Sequence, residues 1–371
     1  MASRGGRTDE EYMREALRLA RSDKTLPYPN PWAGCVIVRS GRIVGKGFHR
    51  GAGARHAEVE ALAAVGARAR GATLYVNLEP CCHFGRTPPC TDAVLLAGIR
   101  RVVYALRDPN PVVAGRGAAM LKRHGIDVAG GVLEAEAAAL NEVYLKYRRT
   151  GLPFVTVKIA SSLDGKIATR TGDSRWITDR VARRRARALR AEHQAVLVGI
   201  NTVLSDDPHL GPRFGGALDP WRVVLDSRLR IPTRSRVVAT GRCIVATTRA
   251  ADPHKRTELK SAGAEVWQFP GRRIPLRALL RQLAARGILS LMVEGGGEVL
   301  GSFFDQEIVD RVFWFVAPIV IGSQASTPAV SGSGAARVRD AHKLHHVSIE
   351  ELGACYVVRG NVSRWALAGT E

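Results

Sequence analysis

Four residues between positions 56 and 90 have the types and the order needed to activate water on a metal ion. His56 is followed by Glu58, and Cys81 and Cys90 come later in the chain. One imidazole and two thiolates supply three of the four ligands of tetrahedral zinc, which leaves the fourth position for water, as in catalytic sites. Zinc lowers the pKa of its bound water from about 16 to about 7. Glu58 is free of the metal in this pattern and can carry protons, so the stretch predicts a hydrolytic site with about one Zn²⁺ per chain.

The elements around these residues are expected to bring the ligands together. Apolar residues recur at helical spacing after the first ligand, so His56 should lie in the first turn of a helix. A short buried strand is expected over residues 72–78, and its end would bring Cys81 to the same point. A further helix over residues 91–96 would place Cys90 at its N-terminus, where the helix dipole favours a thiolate.

The order of the motif is more specific than its parts. A lone histidine at a helix start is usually a cap or a surface residue, and cysteines often pack as buried hydrophobes. The order H-x-E, Pro-Cys, Cys is the signature of zinc nucleobase deaminases, in which the glutamate is the general acid and base. Those enzymes usually have two residues between the cysteines, whereas eight separate Cys81 from Cys90. This longer insert, CHFGRTPP, together with HAEVEAL and PNPWAGCVIV, resembles the deaminase half of the bifunctional riboflavin-biosynthesis deaminase–reductases.

This resemblance implies a cytidine-deaminase-like α/β/α domain over residues 1–148, with Glu58 as the proton shuttle. The residues that it assigns to zinc are His56, Cys81 and Cys90. Those that it assigns to the substrate are Asn30, His49 and Arg86. The pair Trp32-Ala33 departs from the small residue or valine usual after PNP, which makes the shape of this pocket less predictable than its chemistry.

The second half of the chain carries its own motifs: SLDGKIA, SRWIT, LRAEHQAVLVG, TVLSDDPHLGPR, VEGGGEVL and VFWFVAPIVIG. A buried strand over residues 291–293 enters Gly295–Gly297 and then a helix, a turn through which backbone N–H groups can approach a phosphate. A plain tight turn is the simpler interpretation of three glycines, and the absence of G-x-G-x-x-G argues against a Rossmann site. Together these motifs resemble the reductase half of the same family, which is similar in fold to dihydrofolate reductase and uses NADPH.

The resemblance implies a dihydrofolate-reductase-like α/β domain over residues 149–371. The positions that it assigns to NADPH are Ala160, Trp176, Thr202, Asp206, Ser227, Gly296, Gly297, Glu298, Val299, Leu300, Gly301 and Ser302. Those that it assigns to the substrate are Ser174, Arg190, Leu210, Arg213 and Glu294. Guanidinium groups suit a phosphate because they donate in pairs. A surface ion pair is the alternative for Arg190, which lies in an arginine-rich helix, and Leu-Gly-Pro-Arg replaces the usual Leu-Thr-x-Arg at Arg213.

Two consecutive reactions follow from the resemblance. The first is hydrolytic deamination of 2,5-diamino-6-ribosylamino-4(3H)-pyrimidinone 5′-phosphate. The second is NADPH-dependent reduction of the ribosyl to the ribityl side chain, giving 5-amino-6-ribitylamino-uracil 5′-phosphate. Two alternatives stay open: a paralogue acting on a related pyrimidine, and a deaminase that edits nucleic acid. The basic charge suits the editing enzyme, but the second half of the chain and an aromatic content of 6% do not.

Composition limits the other possibilities. The 371 residues are enough for two domains. The net charge of +21 is spread over both halves, so it predicts no nucleic-acid partner. Six cysteines are too few for a disulfide scaffold, the N-terminus has no signal-peptide pattern, and the longest apolar run is too short to span a membrane. We therefore expect a cytoplasmic homo-oligomer that acts on a small phosphorylated pyrimidine.

The motifs are linked by alternating secondary structure, which favours sheets covered by helices on both faces. Helices are expected over 9–21, 117–124, 134–147 and 179–191. Strands are expected over 34–39, 43–48, 101–106, 154–168 with a turn at Asp164-Gly165, 195–203 and 310–322.

Overall fold

The computed structural model describes residues 7–22, 26–85, 87–212 and 218–362. These residues form two compact units that meet in sequence at 151/152. The boundary expected after residue 148 falls within the last helix of the first unit, α6 (Glu142–Thr150).

The first unit is a mixed sheet with helices packed against it. Its other helices are α1 (Asp9–Ala20), α2 (Ala57–Val65), α3 (Cys90–Leu96), α4 (Arg116–Arg123) and α5 (Glu134–Leu140). Its strands are β1 (Gly34–Arg39), β2 (Arg42–Phe48), β3 (Thr73–Leu78), β4 (Arg101–Leu106) and β5 (Asp127–Gly130). The strand order is β2-β1-β3-β4-β5, in which β1 is antiparallel to both neighbours and the last three strands are parallel.

Local sequence explains how the helices of this unit begin. Thr8 and Glu11 form a capping box at the start of α1, since each side chain accepts a backbone N–H of the other. α2 and α3 pack against each other, and the apolar residues of both contribute to one buried cluster with β1 and β3. This cluster fixes the N-terminal ends of α2 and α3 relative to the end of β3. Those three chain ends carry the predicted zinc ligands.

The second unit is built around a larger sheet. Its helices are α7 (Arg180–Ala191), α8 (Ile200–Asp206), α9 (Arg236–Ala239), α10 (Pro253–Ser261), α11 (Leu276–Ala285) and α12 (Gly297–Asp305). Its strands are β6 (Phe154–Ser162), β7 (Lys166–Ala168), β8 (Ala195–Gly199), β9 (Trp221–Leu225), β10 (Cys243–Thr248), β11 (Ala264–Phe269), β12 (Ser290–Val293), β13 (Arg311–Ala317), β14 (Thr327–Pro328), β15 (His345–Leu352) and β16 (Cys355–Asn361).

Nine of these strands form one sheet in the order β11-β10-β9-β8-β12-β6-β13-β16-β15, while β7 pairs with β14. The strands from β11 to β13 are parallel, and the hairpin β15–β16 joins β13 antiparallel. Apolar side chains on the two faces of the sheet belong to two separate cores. The carboxyl ends of the parallel strands therefore share one edge, where ligands of open α/β sheets bind.

Three expected elements differ from the structure. The strand expected over 195–203 ends at Gly199, and α8 begins at once, so Thr202 lies on a helix instead of a strand. The helix expected over 134–147 is divided at Asn141, whose φ of −106° is not helical. The strand expected over 310–322 ends at Ala317, because the next residue, Pro318, cannot donate to a ladder. No helix among the residues described has both the length and the apolar character that crossing a membrane requires.

Candidate active sites

The three predicted zinc ligands converge in the first unit. His56 is the N-cap of α2, Cys90 is the first residue of α3, and Cys81 follows β3. Their ligating atoms all lie within 4.8 Å of one another. Nδ1 of His56 is 3.2 Å from Sγ of Cys90 and 3.5 Å from Sγ of Cys81. One imidazole nitrogen and two thiol sulfurs at these separations fit a tetrahedral zinc ion with one position left for water.

The other nitrogen of His56 has a partner that sequence reasoning missed. Oγ1 of Thr87 lies 3.3 Å from Nε2 of His56. If Nε2 carries the proton and donates it to Thr87, then Nδ1 keeps its lone pair for a metal. Such outer partners orient ligating histidines in metal sites. Thr87 lies in the long insert between the two cysteines, and that insert was the available signal.

The electrostatics of the site favour a thiolate and a proton carrier. The thiol of Cys90, its backbone N–H at 3.3 Å and the imidazole of His56 lower the pKa of Cys81 to about 4. Glu58 lies on α2 and is buried, and burial raises the pKa of its carboxyl to about 7. A carboxyl that titrates near neutral pH can both accept and donate a proton during turnover.

A cavity of about 340 Å³ opens beside these residues, within the size range of small-molecule sites. The predicted substrate residues Asn30 and His49 line it, and their side chains are joined by a bond of 2.8 Å between Nδ2 and Nε2. Nδ1 of His49 lies 3.0 Å from the carbonyl oxygen of Arg55. Burial lowers the pKa of His49. A neutral His49 that donates from Nδ1 and accepts from Asn30 satisfies both contacts.

The backbone at Trp32 is fixed by two buried amides. Oδ1 of Asn141 accepts the N–H of Trp32 at 2.8 Å, and Nδ2 of Asn77 donates to its carbonyl oxygen at 2.8 Å. Asn77 also accepts the N–H of Gly34 at 2.7 Å. All three bonds are made to main-chain atoms. The backbone conformation at Trp32-Ala33 is therefore fixed independently of the side chains of this unusual pair.

Sequence reasoning also missed several other residues that line the cavity. The buried carboxylate of Glu79 accepts backbone N–H groups of Gly115 at 2.8 Å and of Ala118 at 3.1 Å. These bonds hold the start of α4 against the segment that leads to Cys81. Further members of the lining are Asp108, Asn110, Val113, Tyr144 and Arg148. They follow β4 or lie on α6, and no motif in the sequence marked them.

A second cavity, of about 580 Å³, lies in the second unit. The structure brings four predicted reductase residues into its lining: Ser174, Trp176, Arg190 and Asp206. The lining residues that sequence reasoning missed include Lys158, Arg183, Arg187, His209 and Arg236. Basic side chains thus outnumber acidic ones on this wall, which suits phosphorylated ligands.

A buried ion-pair cluster adjoins this cavity. Arg190 donates from Nε and Nη2 to the carboxylate of Glu294 at 2.6 and 2.9 Å. Nζ of Lys158 lies 3.7 Å from the same carboxylate. Burial alone would raise the pKa of Glu294, but the two cations hold it at about 2. Arg190 is therefore in an ion pair, which was the alternative interpretation of this residue from the sequence. The pair is buried, however, and does not lie on the surface.

The remaining NADPH positions collect at the carboxyl edge of the parallel strands. Ala160 is on β6, Thr202 follows β8, Ser227 follows β9 and Gly296 follows β12, and these four strands are neighbours in the sheet. A Cβ on Gly296 would meet no atom within 4 Å, so the backbone at the start of α12 is open to a ligand. This half-buried turn, with an open backbone at Gly296 and four strand ends around it, fits a dinucleotide phosphate.

The other residues of α12 that were assigned to NADPH differ in exposure. Glu298 and Ser302 are exposed, and Val299 is half-buried. Leu300 and the glycines at 297 and 301 are buried. A Cβ at position 301 would lie 1.7 Å from the carbonyl oxygen of Ser331, so glycine is required for this packing. Leu210 is also buried, and Arg86 and Arg213 lie outside the described residues.

Comparison with known proteins identifies the family of each half of the chain. The family pattern described as the cytidine and deoxycytidylate deaminase zinc-binding region matches residues 6–106, and that of the RibD C-terminal domain matches residues 153–358. The riboflavin biosynthesis protein RibD of Aquifex aeolicus is 43% identical over 351 residues, which cover 94% of this chain and 97% of that protein. The chain belongs to the RibD family. The RibD of Escherichia coli is 41% identical over 85% of this chain and 89% of its own length.

Solved structures of family members have the same architecture. RibD of Acinetobacter baumannii superposes with a TM-score of 0.86 at 35% identity, covering 96% of this chain and 99% of that one. A deaminase–reductase from Thermotoga maritima gives 0.82 at 37% identity with the same coverage. These matches confirm the two α/β folds predicted from the sequence. The chain is a bifunctional deaminase and reductase of riboflavin biosynthesis, with zinc and NADPH as its cofactors.

Proposed function

We propose that residues 1–148 carry the deaminase and residues 149–371 the reductase, with zinc held by His56, Cys81 and Cys90. The observation that carries the proposal is the meeting of these three ligands next to the buried Glu58, at the wall of one cavity. The substrate is inferred from the Thermotoga maritima relative, which is named a diaminohydroxyphosphoribosylaminopyrimidine deaminase/5-amino-6-(5-phosphoribosylamino)uracil reductase.

In the first reaction, water replaces the amino group at an amidine-like carbon of the 2,5-diamino-6-ribosylamino-4(3H)-pyrimidinone 5′-phosphate. Bound zinc would supply a Lewis acid that makes water nucleophilic at neutral pH. Glu58 takes a proton from the attacking water and delivers it to the departing nitrogen, which leaves as ammonia. The pKa of about 7 suits both halves of that transfer. Asn30 and His49, which line the cavity, are proposed to hold the pyrimidine together with Arg86.

In the second reaction, the ribosyl side chain of the deaminated product becomes ribityl. NADPH would supply the hydride. The protein positions the two ligands: Ser174, Arg190, Leu210, Arg213 and Glu294 are proposed for the pyrimidine phosphate. The proposed cofactor positions are Ala160, Trp176, Thr202, Asp206, Ser227 and residues 296–302. Lys158, with Nζ 3.7 Å from the carboxylate of Glu294, adds a further cation beside this set.

The proposal extends to the cell compartment and to assembly. Zinc-bound thiolates suit a reducing compartment, which supports a cytoplasmic location.

Assembly as a homo-oligomer is supported by β15, the edge strand of the nine-stranded sheet, in which the side chains of Val347 and Ile349 are 51% and 69% exposed. Exposed apolar edge strands pair with other strands. Sedimentation of wild type and Ile349→Lys tests this point, since the substitution should shift an oligomer towards monomer.

Metal analysis tests the ligand set. The variants Cys81→Ser and Cys90→Ser should each lose zinc, whereas the matched control Cys82→Ser should keep about one zinc per chain. Cys82 is adjacent in sequence but is not among the clustered ligands. NADPH-dependent reduction should persist in all three. Full zinc content in both ligand variants would contradict the proposal.

A further inference from the structure

The most deeply buried cation in the second unit lies beneath the segment His209–Gly211, which adjoins the reductase cavity. Arg222 is on the interior strand β9, and its side chain has no exposed surface. The next two residues, Val223 and Val224, are core valines. Burying a guanidinium carries a large desolvation cost, and an apolar side chain of similar size often stabilises a core at least as well. Stability alone therefore does not account for arginine at this position.

The contacts of Arg222 show where this guanidinium is directed. Nε donates to the carbonyl oxygen of His209 at 3.2 Å. Nη1 donates to the carbonyl oxygen of Pro220 at 2.6 Å and to the carboxylate of Asp219 at 2.7 Å, and Nη2 lies 2.7 Å from the same carboxylate. Asp219 and Pro220 immediately precede β9, so they fix the guanidinium in place. The bond to His209 is the one that reaches a distant segment.

The segment His209–Gly211 is held from its other side as well. Nη1 of Arg190 donates to the carbonyl oxygen of Gly211 at 3.2 Å, and Arg190 is itself fixed by Glu294. Leu210, between the two bonded carbonyls, has a φ of +56°, a conformation that leucine rarely adopts without support. Two guanidinium groups thus support an unusual backbone in the segment that ends two residues before Arg213 in the sequence.

The unusual Gly211 fits the same arrangement. A Cβ at this position would lie 2.6 Å from Nδ1 of His209 and 2.9 Å from Nη2 of Arg222. Its φ is not among the positive values, so only space and not backbone conformation restricts the residue here. The close approach of the backbone to Arg222 leaves little room for a β-carbon, which favours glycine over the threonine usual in the family.

We propose that Arg222 is a positioning residue of the reductase, which holds His209–Gly211 in the conformation that receives the pyrimidine substrate. Arg222 touches no reacting atom and acts through the carbonyl of His209. A segment that is already ordered loses less conformational entropy when the substrate binds. The inference rests on the proposed placement of the pyrimidine beside Leu210.

Steady-state kinetics of the full-length chain with the deaminated pyrimidine and NADPH tests the inference. Arg222→Lys keeps a positive charge for Asp219 but cannot also donate to His209. We expect KM for the pyrimidine to rise about tenfold or more, as for the loss of one charge-assisted hydrogen bond. The value of kcat, KM for NADPH and the deaminase activity should stay near wild type. Arg242→Lys, at an exposed position beside β9, is the matched control and should change none of them.

Two further variants keep the test decisive if Arg222→Lys fails to fold. Asp219→Asn removes the counter-charge at a half-exposed side chain, and Gly211→Ala pushes the segment away from the guanidinium. Both should raise the same KM selectively. If KM for the pyrimidine is unchanged in the variants that fold, the inference is wrong. It is also wrong if only kcat falls, and falls in proportion to the fraction of misfolded protein. Failure of wild type to reduce the pyrimidine would instead contradict the proposed function.

Discussion

Replacing Glu294 with glutamine should destabilise the second unit by about 3 kcal/mol at pH 7. The side chain of Glu294 is 7% exposed, and its carboxylate is bonded by Arg190 and lies near Lys158. These cations hold its pKa at about 2, below the ordinary 4.5. Since one pKa unit corresponds to about 1.4 kcal/mol, the shift is worth roughly 3 kcal/mol of stability. The same loss can be seen from the cations, because glutamine would leave Arg190 and Lys158 buried without their counter-charge.

The pH dependence of this loss follows from the sign of the shift. A folded-state pKa below the unfolded value stabilises the protein fully above the unfolded pKa, and the stabilisation disappears as pH falls through the folded pKa. For Glu294 this interval runs from 4.5 down to about 2. The difference between wild type and Glu294→Gln should therefore be constant at neutral pH and smaller by roughly 1 kcal/mol at about pH 3.5.

Urea unfolding followed by tryptophan fluorescence measures this difference, because Trp176, Trp221, Trp267 and Trp314 all lie in the second unit. The matched control is Glu258→Gln, which breaks a pair with Lys255 whose glutamate is 59% exposed. Exposed pairs contribute about 1 kcal/mol or less. A loss no larger than that of the control, or one that does not change towards acid pH, would refute the reasoning.

Three further predictions concern the two active sites. Glu58→Gln should keep zinc and the fold but lose deamination by orders of magnitude, because an amide cannot carry the proton; a near wild-type rate would exclude Glu58 as the acid and base. The double variant Ser227→Ala, Arg228→Ala should lower kcat/KM for NADPH more than for NADH, by an amount that corresponds to about 1–3 kcal/mol per lost hydrogen bond. An equal loss of kcat/KM with both cofactors would show that this pair does not bind the 2′-phosphate. Glu79→Gln should weaken zinc binding, since its carboxylate holds α4 beside Cys81, and zinc affinity measured by chelator competition at the wild-type value would contradict this role.

The sequence predicted that His56, Cys81 and Cys90 would lie together, and the structure brings them together. The signature is made of residue types with few other uses in that order, and periodicity placed His56 and Cys90 at helix starts. Thr87 and Glu79 were missed because their roles depend on hydrogen bonds formed only in the folded chain. A threonine in a loop and a glutamate after a strand have no distinctive spacing.

In the second unit, the sequence predicted the family and the fold. The predicted ends of individual strands were wrong where apolar residues are compatible with both a strand and a helix. The stretch from Ala195 to Val203 keeps apolar residues on both sides of Gly199, and periodicity does not reveal that the strand stops there. The pairing of Arg190 with Glu294 joins residues far apart in the chain, so its burial became evident only from the fold. Arg222 was overlooked for a related reason: in sequence it is one arginine among many.

The most direct test of the central claim is to incubate the full-length chain with the diaminopyrimidine 5′-phosphate, with and without NADPH, and to follow the products by mass spectrometry. Without NADPH, the amino group of the substrate should be replaced by oxygen, and the reaction should stop at that product. With NADPH, the same product should then gain two hydrogens in its side chain. Glu58→Gln should form neither product from this substrate but should still reduce the deaminated compound. Deamination by Glu58→Gln at the wild-type rate, or no deamination by zinc-loaded wild type, would contradict the account.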